Sequence, residues 1–391
     1  MPRAVFGICP TGWHHSPTLP RLIPRMRFDL FYELAVPPQL GTSEAQVYTE
    51  TLAQLELADR LGYGCAWLVE HHFLRGYSHC SKPELVLAAA ASRTRNIRLG
   101  HAIIPLPLHH PVHVAERVAT LDVLSGGRLE IGIGRGFSPR EYSAFGADMA
   151  ASRELSDEAL EILRASFTRQ PVSFHGRHYR LDAVDIIPHA LQQPHPPLWT
   201  AAVSPDSYSW AAARGLGVLA GPFKPWFMVK HDIGRYRAAW NHSAAPRIAM
   251  TLGVLCLADR RRAHRLAREA FTWFYRELLD ATRPVVERMY PSYEQLHELG
   301  RFRALMKLGV DFGMLETFGL AVVGDPADCR DKLRKYAEAG VTHLLLAFGA
   351  GAIEGAVARE SLELFAREVM PALSPGDSES GRADSNKNLI S

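Results

Sequence analysis

The chain has 391 residues, 47% of them hydrophobic and 22% charged, which is enough apolar material for a sizeable core and too much for general disorder. Its formal net charge of +3 is spread among interspersed acidic residues, arguing against a nucleic-acid footprint or a polybasic membrane patch. The local run Arg260-Arg261-Arg262, with Arg265 and Arg268, reads as a solvated helix face.

The five cysteines, Cys9, Cys65, Cys80, Cys256 and Cys329, are odd in number and widely spaced, fitting neither a disulfide framework nor a zinc cluster. No apolar run approaches the roughly 20 residues of a membrane span, and no signal peptide is visible, so the expected location is the cytoplasm.

In chain order, residues 1–26 are dotted with prolines and read as an irregular extension. Phe28 to Leu34 is an apolar strand, and Ser43 opens a helical pattern that Gly62 stops. Then come a strand at Cys65 to Val69, a helix at Leu85 to Ala91, a strand at Ile97 to Ile104, a helix at Pro111 to Leu124, and a strand at Leu129 to Ile133. Leu155 to Phe167 is amphipathic, and Val172 to Ile187 reads as an inserted hairpin before a proline-rich link. A fifth strand, Leu198 to Ala202, leads into a helix from Ser204 to Arg214. Val218 to Ala220, Ile248 to Leu257 and Thr342 to Phe348 supply three more strands, and a last helix runs from about Ala356 to Met370.

Eight apolar strands alternating with helices predict an α/β fold, a closed (β/α)8 TIM barrel with insertions at its C-terminal rim. The expected organisation is one barrel domain over 27–373, with the hairpin at about 170–190 and a rim insertion at about 278–318, followed by a disordered tail at 374–391. The segment from Leu278 to Phe318 reads equally as a lid or as an outer-wall helical insertion.

In such a barrel the functional residues sit at C-terminal strand ends. The second strand ends in Glu70-His71-His72-Phe73, and an imidazole there can exchange a proton near its ordinary pKa of about 6.5. Adjacent residues of an extended segment face opposite sides, so only one of the two histidines should enter the barrel mouth. The pair His109 and His113 has helical spacing, but no carboxylate or cysteine set completes a metal site. Gly132-Ile133-Gly134-Arg135-Gly136-Phe137 lacks the third glycine of a dinucleotide fingerprint, yet lets a flat ligand or a phosphate approach, with Arg135 as a grip. Ser204-Pro205-Asp206-Ser207 opens a helix whose N-terminus suits an anion; an ordinary Ser cap explains it as well. Trp226, Phe227, Trp273, Phe274 and Tyr275 read as core or as a roomy aromatic pocket.

Together, Trp67 to Phe73, Leu121-Asp122 through Arg128, Gly132 to Gly136, and Phe145 to Met149 with Ser152-Arg153 resemble the bacterial luciferase-like, flavin-dependent monooxygenase family. The likeness extends from about Phe28 to Met370 and is weak from about Trp226 to Phe318.

The resemblance implies that His71 is the catalytic acid/base, beside a flavin held by Glu70, Ala102, Ile103, Gly134, Arg135, Val203, Ser204 and Ser207. Ala102-Ile103 matches a non-prolyl cis peptide under the flavin ring, and Arg135, Ser204 and Ser207 match a phosphate grip. Luciferase itself has cysteine at the position of Gly134 and glutamate at that of Val203, so light emission and a fatty-aldehyde substrate do not carry over.

The implied reaction uses reduced FMN (FMNH2) and O2, through a C4a-peroxyflavin, to oxygenate a small organic or secondary-metabolite substrate. The implied partners are a separate NAD(P)H:flavin reductase and a second copy of the chain in a homodimer, with no nucleic acid and no membrane. An F420-dependent hydride-transfer oxidoreductase and a non-catalytic flavin-binding protein are the alternatives.

Overall fold

The computed structural model describes residues 26–373; the tail expected at 374–391, the extension up to residue 25 and Cys9 lie outside the described residues. Eight parallel strands form the barrel: β1 (Arg27–Tyr32), β2 (Cys65–Leu68), β3 (Arg98–His101), β4 (Leu129–Gly134), β5 (Leu198–Ala201), β6 (Gly217–Ala220), β7 (Ile248–Cys256) and β8 (His343–Ala347). Each pairs with the next, and β8 closes the ring by pairing with β1.

Helices cover the outside. The first, Glu44–Leu61, starts at the expected Ser43, whose hydroxyl and the Gln46 side chain form a reciprocal capping box, and stops at Gly62 in the left-handed conformation (φ 82°). The hairpin is present as the antiparallel pair Val172–His175 and Arg180–Val184, apart from the barrel sheet.

Two features depart from the sequence reading. The strand expected at Ile97 to Ile104 is broken: β3 stops at His101, and Ile104–Pro105 pairs again with β4 after a cis peptide at Ala102-Ile103. A short strand, Ala321–Gly324, was not anticipated; it pairs with the far half of β7. The carbonyl of Arg247 accepts from Val218 and the amide of Gly253 donates to Leu320, so odd-numbered groups of β7 face first β6 and then this strand, which continues the same flank. The expected rim insertion is helical, comprising the end of Arg260–Met289 and then Glu298–Leu308 and Phe312–Thr317. Among the described residues no helix is long and apolar enough to cross a membrane, and Cys65, Cys80, Cys256 and Cys329 are buried free thiols.

The barrel interior is built on the two-residue period of its strands. Asp29 of β1, Trp67 of β2, Glu130 of β4 and Trp199 of β5 meet near the N-terminal end. The Trp67 Nε1 donates to Asp29 Oδ2 at 3.0 Å, the Trp199 Nε1 donates to Glu130 Oε2 at 2.5 Å, and the two rings meet edge to face at 5.4 Å. Arg27 pairs with both carboxylates, and Arg98 adds a 2.7 Å contact to Glu130. Burial pushes Asp29 up to about 6 in spite of Arg27 and the indole hydrogen bond.

Room for the indoles comes from Gly100 and Gly217, where an added Cβ would lie 2.4 Å from a ring atom of Trp67 or Trp199. With the base filled, space remains only toward the C-terminal strand ends. Gly100→Ala and Gly217→Ala are each expected to destabilise the protein by about 1–3 kcal/mol through overpacking, read as a lower urea midpoint with unchanged slope.

Candidate functional site

A cavity of about 630 Å³ opens above the tryptophans, lined by the next residues of the same inward rows: Phe31 and Glu33 from β1 and its end, Val69 and His71 after β2, Gly134 of β4, Ala201 and Val203 of β5 and its end, Thr251 of β7 and Leu345 of β8. All nine residues expected from the sequence, Glu70, His71, Ala102, Ile103, Gly134, Arg135, Val203, Ser204 and Ser207, lie on its wall. Trp226, Phe227, Trp273, Phe274 and Tyr275 do not; they pack elsewhere, and the cavity's aromatic residues are Phe31, Tyr77, Phe137, Trp210 and Phe223.

One wall is apolar. The cis bond Ala102-Ile103 turns the chain into the cavity after β3, and Gly134 faces it closely enough that a Cβ there would come 2.8 Å from the Ile103 Cδ1. Glycine is required at that position by proximity.

One part of the wall holds His71. Its amide donates to the Cys80 carbonyl at 3.0 Å, while its ring has carboxyl oxygens on both sides: Glu33 Oε2 lies 3.8 Å from Nε2 and Glu141 Oε1 lies 3.9 Å from Nδ1. Neither distance is a hydrogen bond, and both the Nδ1 of His71 and the Oε2 of Glu33 are buried without a partner. Burial holds the imidazole down at about 4, beyond what Glu70 restores, so the ring is neutral at pH 7. The backbone explains the choice between the two histidines. His71 points inward, whereas His72 turns away, its Nε2 3.2 Å from Glu70 Oε1 and its amide donating to Glu141.

Glu70 is the anchor behind His71. Its Oε1 meets both His72 and, at 2.6 Å, the Nε2 of His109, the residue whose spacing had suggested a metal ligand. Burial alone would raise its pKa, but the two imidazoles and the Arg117 charge hold it down at about 2. Its Oε2 has no partner. His113 is exposed and lies by Glu116.

Another part of the wall is cationic. Arg135 follows β4, Arg153 stands in the first turn of Ser152–Ser166, and Arg288 comes from the last turn of Arg260–Met289. Partial burial, then the charges of Arg153 and Arg288, lower the Arg135 pKa, which places three like charges within mutual influence. Among the described residues none of these guanidinium groups has a hydrogen-bond or ion-pair partner. The helix Pro205–Ala213 begins beside them. Here the ordinary cap is what forms: Ser207 Oγ accepts from the amides of Val203 and Ser204 at 2.9 Å each, and Ser204 Oγ accepts from the Ser207 amide.

The Val203 carbonyl is held from behind by Lys224 Nζ at 2.9 Å. That ammonium is fully buried, paired with Asp232, which also accepts from Tyr293 at 2.6 Å, and flanked by the rings of Tyr208 and Tyr293. Tyr293 belongs to the rim insertion, so this network ties the insertion to the loop that carries Val203 and Ser204.

Glu33, Glu141, Arg153 and Arg288 were missed as site residues. Glu33 was legible, being a carboxylate at the end of an apolar strand with the parity of Asp29 and Phe31. Arg288 had no such signal, because only the fold of the insertion brings it over the cavity.

The family model described as Luciferase-like monooxygenase matches residues 26–343. The chain is 31% identical over 199 residues to the flavin-dependent trigonelline monooxygenase, oxygenase component, of Acinetobacter baylyi, covering 50% of this chain and 54% of that protein. The structure of the monooxygenase RslO1 from Streptomyces bottropensis superposes with a TM-score of 0.75 at 28% identity, covering 89% of this chain and 99% of that one. The oxygenating constituent of 3,6-diketocamphane monooxygenase from Pseudomonas putida, solved with FMN, shares the fold with a TM-score of 0.71 at 22% identity, over 88% and 98% of the two chains.

Glu70 yields a pH prediction. Its folded pKa lies below the ordinary 4.5, so its contribution is complete above pH 4.5 and is lost as pH falls toward 2. Glu70→Gln should therefore flatten the acid limb of the stability profile, removing up to about 3 kcal/mol of pH-dependent stability in denaturant melts between those limits.

Proposed function

Since the chain belongs to the luciferase-like monooxygenase family and its matched segment contains every cavity residue except Leu345, we propose that it is the oxygenase component of a two-component FMN-dependent system. It uses reduced flavin and O2 to oxygenate a small organic molecule, with His71 as the acid/base group. The observation that carries this reading is the make-up of the cavity: three arginines without a hydrogen-bond or ion-pair partner among the described residues, a neutral histidine, and an apolar wall at Ala102, Ile103 and Gly134.

A flavin mononucleotide fits that division. Arg135, Arg153 and Arg288 would bind its phosphate, and Ala102, Ile103 and Gly134 would orient the ring. When bound in reduced form, the flavin supplies the electrons and activates dioxygen. Ser204 and Ser207 would exchange their capping contacts for phosphate oxygens, freeing the Val203 amide for the same anion. Phe31, Val69, Ile133 and Leu345 exclude water from the reacting end. His71, neutral and with no hydrogen-bond partner at its buried Nδ1, accepts or returns a proton. The relative named as the oxygenase component of a flavin-dependent monooxygenase supports a separate reductase and a flavin cofactor.

Binding distinguishes the phosphate grip. FMN should saturate the protein in a fluorescence titration, and Arg135→Ala should weaken FMN by about ten- to hundred-fold, the worth of a hydrogen bond to a charged group. Riboflavin, which lacks the phosphate, should bind wild type and variant alike; equal FMN affinities would remove Arg135 from the grip.

Turnover tests the chemistry. With FMNH2 and ¹⁸O2, a product from a screen of ketones, aldehydes and aromatics should carry one labelled oxygen, and His71→Ala should lower that rate by about 10²–10⁴-fold. Anaerobic turnover with reduced F420 would overturn the oxygenase reading, as would flavin binding without oxygen consumption across the screen.

A further inference from the structure

Glu33 has the same inward parity as Asp29 and Phe31, and it stands where β1 ends, 7% exposed. Its Oε1 accepts from the Tyr77 hydroxyl at 2.8 Å. Its Oε2 is buried with no hydrogen-bond partner and faces the Nε2 of His71 at 3.8 Å, and all three side chains line the main cavity. No Lys or Arg among the described residues pairs with Glu33 or His71. A charged carboxylate is costly in such a place, whereas a carboxylic acid there has a neutral base as its neighbour.

We propose that Glu33 is a second proton-carrying residue of the site, forming with His71 a dyad that stores a proton on Glu33 Oε2 and delivers it through the imidazole. The Glu33 O–H bond breaks as a new N–H bond forms at His71 Nε2, while the proton on His71 Nδ1, a buried atom that rotation of the ring must turn to the cavity, leaves for the reacting oxygen. Glu33 becomes the carboxylate, His71 ends neutral, and no electrons change hands. A small side-chain rotation brings the 3.8 Å pair into hydrogen-bond reach.

The outside of the dyad is open to reloading. His71 also lines a second pocket of about 330 Å³, on the surface, together with Tyr48, Ser78, His79 and Glu44, the last two 3.0 Å apart. The other titratable groups around the pair are Tyr77 on Glu33, Glu70 and His72 beside His71 in sequence, Glu141 at 3.9 Å from Nδ1, the Cys80 thiol, and Tyr275 next to Tyr77. Burial pushes Glu33 from the ordinary 4.5 up to about 8, against the hydrogen bond from Tyr77, so at pH 7 both members of the dyad are neutral.

Only the reaction served depends on the oxygenase function proposed above; the dyad itself belongs to the ligand-free protein. Difference infrared spectra of that protein should show a protonated-carboxyl band at pH 7 that titrates near pH 8 and is missing in Glu33→Gln, while NMR shows the His71 ring neutral down to about pH 4. Tyr77→Phe removes a hydrogen bond that favours the carboxylate, so it should move the carboxyl titration upward; it serves also if Glu33→Gln fails to fold. In turnover, Glu33→Gln should lose the alkaline limb of the kcat profile near pH 8 and fall by about ten- to hundred-fold.

A wild-type protein without the band, or a band that persists in Glu33→Gln, overturns the dyad whatever the flavin does. A band that behaves as expected beside an unchanged pH profile makes Glu33 structural, which also overturns it and leaves the oxygenase function standing. If no oxygenation is found at all, that function fails, and the band with the His71 titration decides the dyad alone.

Discussion

Two tryptophans at the base of the barrel decide where this protein can do chemistry. Trp67 and Trp199 fill the N-terminal half of the barrel, and each can be there only because its indole N–H reaches a buried carboxylate, Asp29 or Glu130. Those carboxylates in turn need Arg27 and Arg98, since buried negative charge is stable only when paired and hydrogen-bonded. The glycines opposite the rings, Gly100 and Gly217, complete the packing. A filled base leaves the cavity at the C-terminal strand ends, where eight loops can bring different groups to one place.

Within the cavity the protein separates charge from neutrality. Around Arg135, cations lie together without partners among the described residues, an arrangement that an anion relieves. Around His71, burial disfavours the charged forms of both Glu33 and the imidazole, and it raises the pKa of Glu141 as well. Glu70 is the exception that makes this work: it stays ionised because His72 and His109 both reach its Oε1, and so holds the segment from which His71 projects. Neutral and cationic side chains thereby line one ligand-sized space.

The rim insertion is joined to this space in two places. Tyr293 completes the buried Lys224–Asp232 pair, whose ammonium holds the Val203 carbonyl, and Arg288 reaches the cationic part of the wall from the end of a 30-residue helix. Removing one member of a buried pair leaves the other uncompensated, so the loop at Val203 and the insertion are energetically one unit.

The sequence by itself determined the barrel strands and most covering helices, because apolar strands of period two and capped helices are local patterns, as Ser43 with Gln46 and Gly62 show. Strand-end position singled out His71, Gly134 and Arg135, the family resemblance supplied the rest of the nine residues found on the cavity wall, and the parity of adjacent residues already required His71 and His72 to part. Tertiary structure alone decided what surrounds them. Ala321–Gly324 becomes a strand because β7 outruns β6 and offers free backbone groups, not through any pattern of its own. Arg288 is over 130 residues from Arg153 in the chain yet shares its electrostatic environment. The proton states of Glu33 and His71 follow chiefly from burial, a quantity that no run of residues encodes locally.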